Sequence, residues 1–370
     1  MGNKTAERSP AMDVIRCTAL ACVSSVHFFS RIGYYYVPLT GPRMYLMTVM
    51  RTAFMVCVPL FLLLSGYLCR KHRPCAAYYA KLGRILGVYA LAVLTGILFH
   101  RIRSGTAISV AEGLRRLLDY SGSDYGWYVE MYLGLFLLIP YLNILYEGLG
   151  TERARRGLIL TLLLMTALPP VINVYDLTDP GWWSAPGLKT GTYFQILPDW
   201  WTNLYPLTYY FLGAYLRDHP LKLRRWMILG LLVLTTAADG AYEIWRCRDG
   251  LFQWGAWQNN PSLFLLIRSV LLFSWLQSAN YSWMRSGLRR LLAKLSVWSF
   301  GAYLVSWIFD TLVYARLNAY VPDVHLRLEW FPVAVPAVLL GSLLTAACLE
   351  GICSLLSAVA RRFLFRRPKA

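Results

Sequence analysis

MDVIRCTALACVSSVHFF, residues 12–29, is an apolar stretch interrupted by three groups that hydrocarbon does not welcome: Asp13, Arg16 and His27. On an α-helix each residue turns about 100° and rises about 1.5 Å, so the step from Arg16 to His27 makes about three turns and covers roughly 16 Å. The two side chains therefore share a face. Asp13 lies one turn before Arg16 on nearly the same face, and Leu20, Val23 and Ser24 fill the stripe between. Ionisable groups at membrane depth are costly and face a bundle interior or a wet cavity, so this edge points at a site rather than at lipid.

The rest of the chain reads as the surround of that helix. Its 370 residues are 57% hydrophobic and 15% aromatic, with a mean hydropathy of +0.44, too apolar and too segmented for a soluble domain. The sequence predicts an all-α, polytopic integral membrane protein with about ten transmembrane helices around a polar cavity, forming a single domain over residues 1–370. Segments long enough to cross about 30 Å of hydrocarbon fall near 12–30, 44–69, 82–100, 127–146, 157–175, 200–216, 225–245, 261–279, 295–316 and 331–359.

A net charge of +18 in a soluble protein would point to nucleic acid, but here the basic residues stand in short clusters between apolar segments, where orientation signals belong. They argue against a nucleic-acid partner. An even number of spans puts both termini on one side, and Lys and Arg are about twice as frequent on that side, which the positive-inside rule reads as cytoplasmic. The four arginines of the loop after the third span, Arg101, Arg103, Arg115 and Arg116, run against this pattern. Lys4 and Arg8 resemble the start of a signal peptide, but no small-residue cleavage site follows, so the first segment is expected to be retained. The eight cysteines form no CxxC pair, and neither a disulfide framework nor a metal site is expected.

The two longest loops, 100–126 and 176–199, fall on the opposite side. The second is dense in Trp, Tyr, Gly, Pro and Asp, which suits an interfacial aromatic belt and equally a sugar-stacking lid.

Several residues are candidates for chemistry. A neutral imidazole is the side chain best matched at physiological pH to take a proton from a hydroxyl, so His27 reads either as a catalytic base or as a structural hydrogen bonder. Ser24 reads as a packing hydroxyl. Arg16 is too far from His27 to assist it; it reads as an anion binder oriented by Asp13, or as half of a structural pair with it. Arg70, Lys71, Arg73, Lys81 and Arg84 form a basic cluster that fits phosphates or merely orients the chain, with Lys81 and Arg84 on one helix face. In the second span Pro59 loosens the helix and Ser65-Gly66 offers a smooth surface for a close neighbour. Glu130 is expected to face inward, as a partner of Arg51 or Arg268 or as a cavity-lining residue. Asp239, Glu243 and Asp310 fall near span ends, where water would reach them.

Taken together, Asp13, Arg16 and His27, the stretch VPLFLLLSGYL at 58–68, Lys81-x-x-Arg84, GWYVEMYLGLFLLIPYLN at 126–143, LPDWWTNLYPLTYYFLGAYL at 197–216 and LSVWSFGAYLVS at 295–306 resemble the acyltransferase type 3 family of bacterial integral membrane proteins. The resemblance spans nearly the whole chain. It implies a multi-pass protein of the bacterial plasma membrane that moves an acyl group, most simply acetyl, from cytoplasmic acyl-CoA (acetyl-CoA) to a hydroxyl of an extracytoplasmic glycan or lipid-linked acceptor. Membrane lipids are then partners too. The resemblance implies His27 as the catalytic residue, acting as general base or covalent carrier, and Arg16, Lys81 and Arg84 as binders of the anionic donor. Asp13, Glu130 and Ser306 would support the site or line its cavity. One position departs: many family members carry a histidine where this chain has Ser306. The residues alone also fit a transporter passing a small solute through the same cavity without acyl transfer, or a receptor-like relative without activity.

Overall fold

A computed structural model describes residues 9–173, 195–247, 250–254 and 258–364. Most of the expected lid loop, residues 176–194, and the last residues of the fifth expected span lie outside the described residues. What is described is a bundle of helices: α1 (Pro10–Arg31), α2 (Gly41–Phe54), α3 (Cys57–Cys69), α4 (Lys81–Ser104), α5 (Val110–Leu118), α6 (Trp127–Gly148), α7 (Glu152–Leu162), α8 (Tyr205–Asp218), α9 (Arg225–Arg246), α10 (Leu263–Gln277), α11 (Ser286–Tyr320) and α12 (Phe331–Leu364). Among the described residues, eight helical segments are long and apolar enough to cross a membrane; α2 and α3 together make one of them. The remaining two expected crossings correspond to α8, 14 residues, and α10, 15 residues, both shorter than hydrocarbon thickness asks of a helix.

Local sequence explains the ends and breaks of the helices that carry the site. α1 opens with Pro10 in its first turn, carries Asp13 there and Arg31 in its last turn, each charge favourable at its end of the helix dipole. It stops at Gly33, whose φ of 85° is the left-handed conformation that a glycine adopts without strain. The carbonyls left over at that end are taken by side chains: Arg327 donates to Ile32 O at 2.6 Å and Asn318 to Arg31 O at 2.9 Å. The end of α1 near His27 is thereby tied to α11 and to the turn that follows it.

Pro59 does more than loosen the second span. It has no N–H for the carbonyl of Met55, and the helix breaks there into α2 and α3, with the Cys57 thiol 3.7 Å from that carbonyl. Past the break, α3 crosses α8 at contact distance. A Cβ on Gly66 would lie 1.9 Å from Tyr210 O, and one on Gly213 would lie 2.0 Å from Leu63 O, so each helix presents a glycine to the other's backbone.

The bundle has two ends. At the end where α1 begins, ion pairs join Arg70 to Asp218, Arg73 to Glu147 and Arg84 to Glu350. The opposite end, called here the far end, holds the close of α1 and the start of α6. The long loop there contains the amphipathic α5, capped by the Ser109 hydroxyl on Glu112 N. Its arginines do not stand as free positive charge. Arg115 and Arg116 both pair with Glu112, and Arg115 also pairs with Asp119, holding the Glu112 carboxyl down to about 2. Half of the charge that ran against the orientation pattern is neutralised within one short helix.

Candidate active site

Arg16 and His27 leave the same face of α1 and meet α11 at two levels. The Arg16 guanidinium donates to Ser296 Oγ at 2.8 Å. Farther along, His27 Nδ1 lies 3.3 Å from Asp310 Oδ2, whose side chain is 0% exposed while that of His27 is 16% exposed. The contact is close, but its geometry falls short of an aligned hydrogen bond.

Asp310 overturns its expected placement. It sits not near water at a span end but in the interior of α11, which runs 35 residues, and it is the group that faces the imidazole. Tyr125, just before α6, completes the arrangement. Its hydroxyl donates to the same Asp310 oxygen at 2.6 Å, and its ring stacks on His27 with centroids 3.8 Å apart. Burial and the nearby Asp310 carboxylate push the Tyr125 phenol far up, so it stays protonated and donates. Arg31 closes the far side, bonding Asp124 at 2.7 Å and Tyr125 Oη at 3.2 Å. A carboxylate on one ring nitrogen orients an imidazole and favours the tautomer that leaves the other nitrogen free to accept a proton. The arrangement is that of a base with its positioning partner.

Beside this group lies a cavity of about 300 Å³. At the end where α1 begins it is lined by Arg16, Arg84, Ser296 and Glu350, and at its inner end by Val23, Tyr128 and Tyr303. It is polar at the mouth and apolar along the walls, where Val58, Phe61 and Leu64 stand. Val23 is one helical turn before His27, so the cavity ends about 6 Å short of the imidazole along α1.

The expected site residues divide as follows. Arg16 and Arg84 line the cavity mouth, and Arg84 is already paired with Glu350 at 2.8 Å. Lys81 turns aside, its ammonium 3.2 Å from His72 Nε2 and 5.8 Å from the Tyr78 ring. Asp13 is buried on α1, three residues before Arg16. Ser306 is buried on α11 one turn before Asp310, and its hydroxyl donates to Tyr303 O at 2.9 Å. Glu130 does not face inward: it is exposed in the first turn of α6, where a helix N-terminus favours a carboxylate.

The two intramembrane arginines find other partners. Arg268 pairs with Asp239, and Arg51 donates to Tyr35 Oη and Gln258 Oε1, each at 2.7 Å. Asp239, and Glu243 with its own partner Cys247, are buried, at 1% and 0% exposure, and not reached by water as expected. Among the described residues no group of three His, Cys, Asp or Glu stands close enough to hold a metal.

Comparison with known protein families adds a match over most of the chain: the sequence model described as an acyltransferase domain covers residues 9–347. The chain belongs to the acyltransferase type 3 family. It is a multi-pass membrane acyltransferase, an enzyme that moves acyl groups. No curated protein matches it, and no solved structure does. The residues that sequence reasoning missed in this acyltransferase are Asp310, Tyr125, Tyr303 and Glu350. Asp310 had a signal, an acid one turn after Ser306 on the same helix face; the tyrosines had none among so many aromatics.

Proposed function

We propose that this acyltransferase carries an acyl group, most simply acetyl, from acyl-coenzyme A to a hydroxyl of an extracytoplasmic saccharide or lipid-linked glycan. It does so in a bacterial plasma membrane, with both termini in the cytoplasm. What supports the reading is the division of the site into two ends. The cavity mouth at the start of α1 carries Arg16 and Arg84, suited to an anionic donor, and its apolar walls suit a long thin arm bearing a thioester. Beyond its inner end stands His27 with Asp310.

In the reaction, His27 Nε2 takes the proton of the acceptor hydroxyl as its oxygen attacks the thioester carbonyl. The C–S bond breaks, the ester C–O bond forms, and the coenzyme leaves as a thiol after receiving that proton. Asp310, 3.3 Å from Nδ1, orients the ring and stabilises the imidazolium while the proton is in transit, and Tyr125 keeps Asp310 in place.

The test is turnover of labelled acetyl-coenzyme A by the purified protein in detergent with a bacterial envelope glycan fraction as acceptor. Wild type is expected to release coenzyme A and label the glycan, and His27→Ala to do neither. Equal turnover by His27→Ala sinks the role of His27, and solute uptake without acyl loss sinks the donor reading. Mass spectrometry of surface glycans from cells lacking the protein then names the acceptor.

A further inference from the structure

Between the cavity and His27 stands a layer of tyrosines, and one of them belongs to both sides. Tyr303 lines the inner end of the cavity and is 6% exposed. Its hydroxyl donates to Tyr125 O at 2.8 Å, the residue whose ring covers His27. Its ring centroid lies 5.9 Å from that of Tyr125 and 5.4 Å, edge-on, from that of Tyr128. The backbone around it is fixed from the other direction, because Ser123 Oγ donates to Leu304 O at 2.9 Å. With α11 and the loop before α6 tied together at this level, the part left to move is the Tyr303 side chain, held at its tip by one hydrogen bond.

We infer that Tyr303 is the partition of this enzyme. It separates the thioester in the donor cavity from the wet, His27 side of the membrane, and it swings aside to let the carbonyl reach the imidazole. The inference rests on the donor reading given above.

The chemistry asks for such a wall. A thioester beside a histidine base can be attacked by water as well as by an acceptor hydroxyl. In both cases the C–S bond breaks and a C–O bond forms, and the proton lost by the attacking oxygen ends on the leaving thiol. Only exclusion of water makes the acceptor the preferred nucleophile. His27 is partly exposed, so an open passage would bring water straight to the donor. Tyr303 is thus a specificity residue for acceptor over water, acting through access and not through contact with the reacting atoms.

Two measurements test this. The first uses Cys69, which lines the cavity, in vesicles of reconstituted protein. A membrane-impermeant methanethiosulfonate reagent is added to the side that bears His27, and labelling of Cys69 is read by peptide mass spectrometry. Tyr303→Ala is expected to raise that labelling severalfold over wild type, and Tyr303→Phe, which keeps the ring, to stay near wild type. The same labelling in wild type and Tyr303→Ala overturns the partition.

The second is hydrolysis of acetyl-coenzyme A without acceptor. Tyr303→Ala is expected to raise it about tenfold, a direction that damage to the fold would not produce. Raised labelling without raised hydrolysis overturns the water-excluding role. Raised labelling in a protein whose wild type turns over no thioester at all leaves the partition standing and removes the donor reading.

Discussion

Asp310 Oδ2 lies 3.3 Å from His27 Nδ1 and 2.6 Å from the Tyr125 hydroxyl, so one buried carboxylate oxygen serves the imidazole and the phenol together. Removing its charge leaves His27 in place but without the group that stabilises its protonated form. Asp310→Asn is expected to lower kcat by about 10² or more, within the range of general-base catalysis, with the KM for donor little changed.

Tyr125 gives a pH prediction. Its phenol is held far above the usual tyrosine range, so it remains the donor to Asp310 at every pH at which the protein is stable. Tyr125→Phe removes that donor and one partner of Asp310, lowering kcat by about tenfold, a loss on the scale of one hydrogen bond to a charged group. Because no proton leaves Tyr125 in the working range, the alkaline limb of the kcat profile is expected to keep its midpoint in the variant. A midpoint that moves by a full pH unit would show that Tyr125 itself titrates in catalysis.

Arg84 faces the cavity but is paired with Glu350 at 2.8 Å, and Glu350 lines the same mouth. An anionic donor must compete with that carboxylate for the guanidinium and is repelled by it. Glu350→Gln is expected to lower the donor KM severalfold, and Arg84→Ala to raise it about tenfold, the scale of a charge-assisted hydrogen bond. Lys81→Ala should change it less, because Lys81 is turned toward His72 and Tyr78. Initial-rate kinetics at varied acyl-coenzyme A separate the three variants, and a larger effect at Lys81 than at Arg84 would reverse the assignment.

How much of this was legible depended on whether a residue's role is set locally. The face shared by Arg16 and His27, the weak point at Pro59 and the close approach at Gly66 follow from helix geometry and steric size within one segment; the first and third stand in the structure, and at Pro59 the helix goes further than loosening and breaks. What Asp310 touches depends on how α11 lies against α1, which no periodicity in either helix fixes. Glu130 failed for a related reason: α6 is apolar nearly all round, so its sequence marks no inward face. Lys81 and Arg84 do share a face, but the cavity edge runs between them.

Asp239 and Arg268 supply a stability prediction away from the catalytic group. Both side chains are 0% exposed and paired with each other. Removing one partner leaves a buried charge, so Asp239→Asn is expected to destabilise the protein by about 3–5 kcal/mol. The double variant Asp239→Asn, Arg268→Leu should recover much of that loss, because no unpaired charge remains. Thermal unfolding in detergent reads both; a double variant as unstable as the single one would mean that the pair contributes through more than its charge balance.

Ser306 stands where the family resemblance leads one to expect a histidine, which raises whether the acyl-transfer group is complete in this chain. In the structure its hydroxyl is spent on Tyr303 O, one turn back in its own helix, a bond that a membrane helix makes for packing. The carboxylate one turn farther along, Asp310, already faces His27. Ser306→Ala therefore removes no group that acts on the imidazole, and its kcat is expected to stay within about threefold of wild type, the scale of one weak hydrogen bond. Ser306→His would force a ring into a position that is 1% exposed, where overpacking costs about 1–3 kcal/mol. It should lower thermal stability without raising kcat. A gain in kcat in Ser306→His would mean instead that the serine is a loss of function, and that Asp310 does not do the work that a histidine does there.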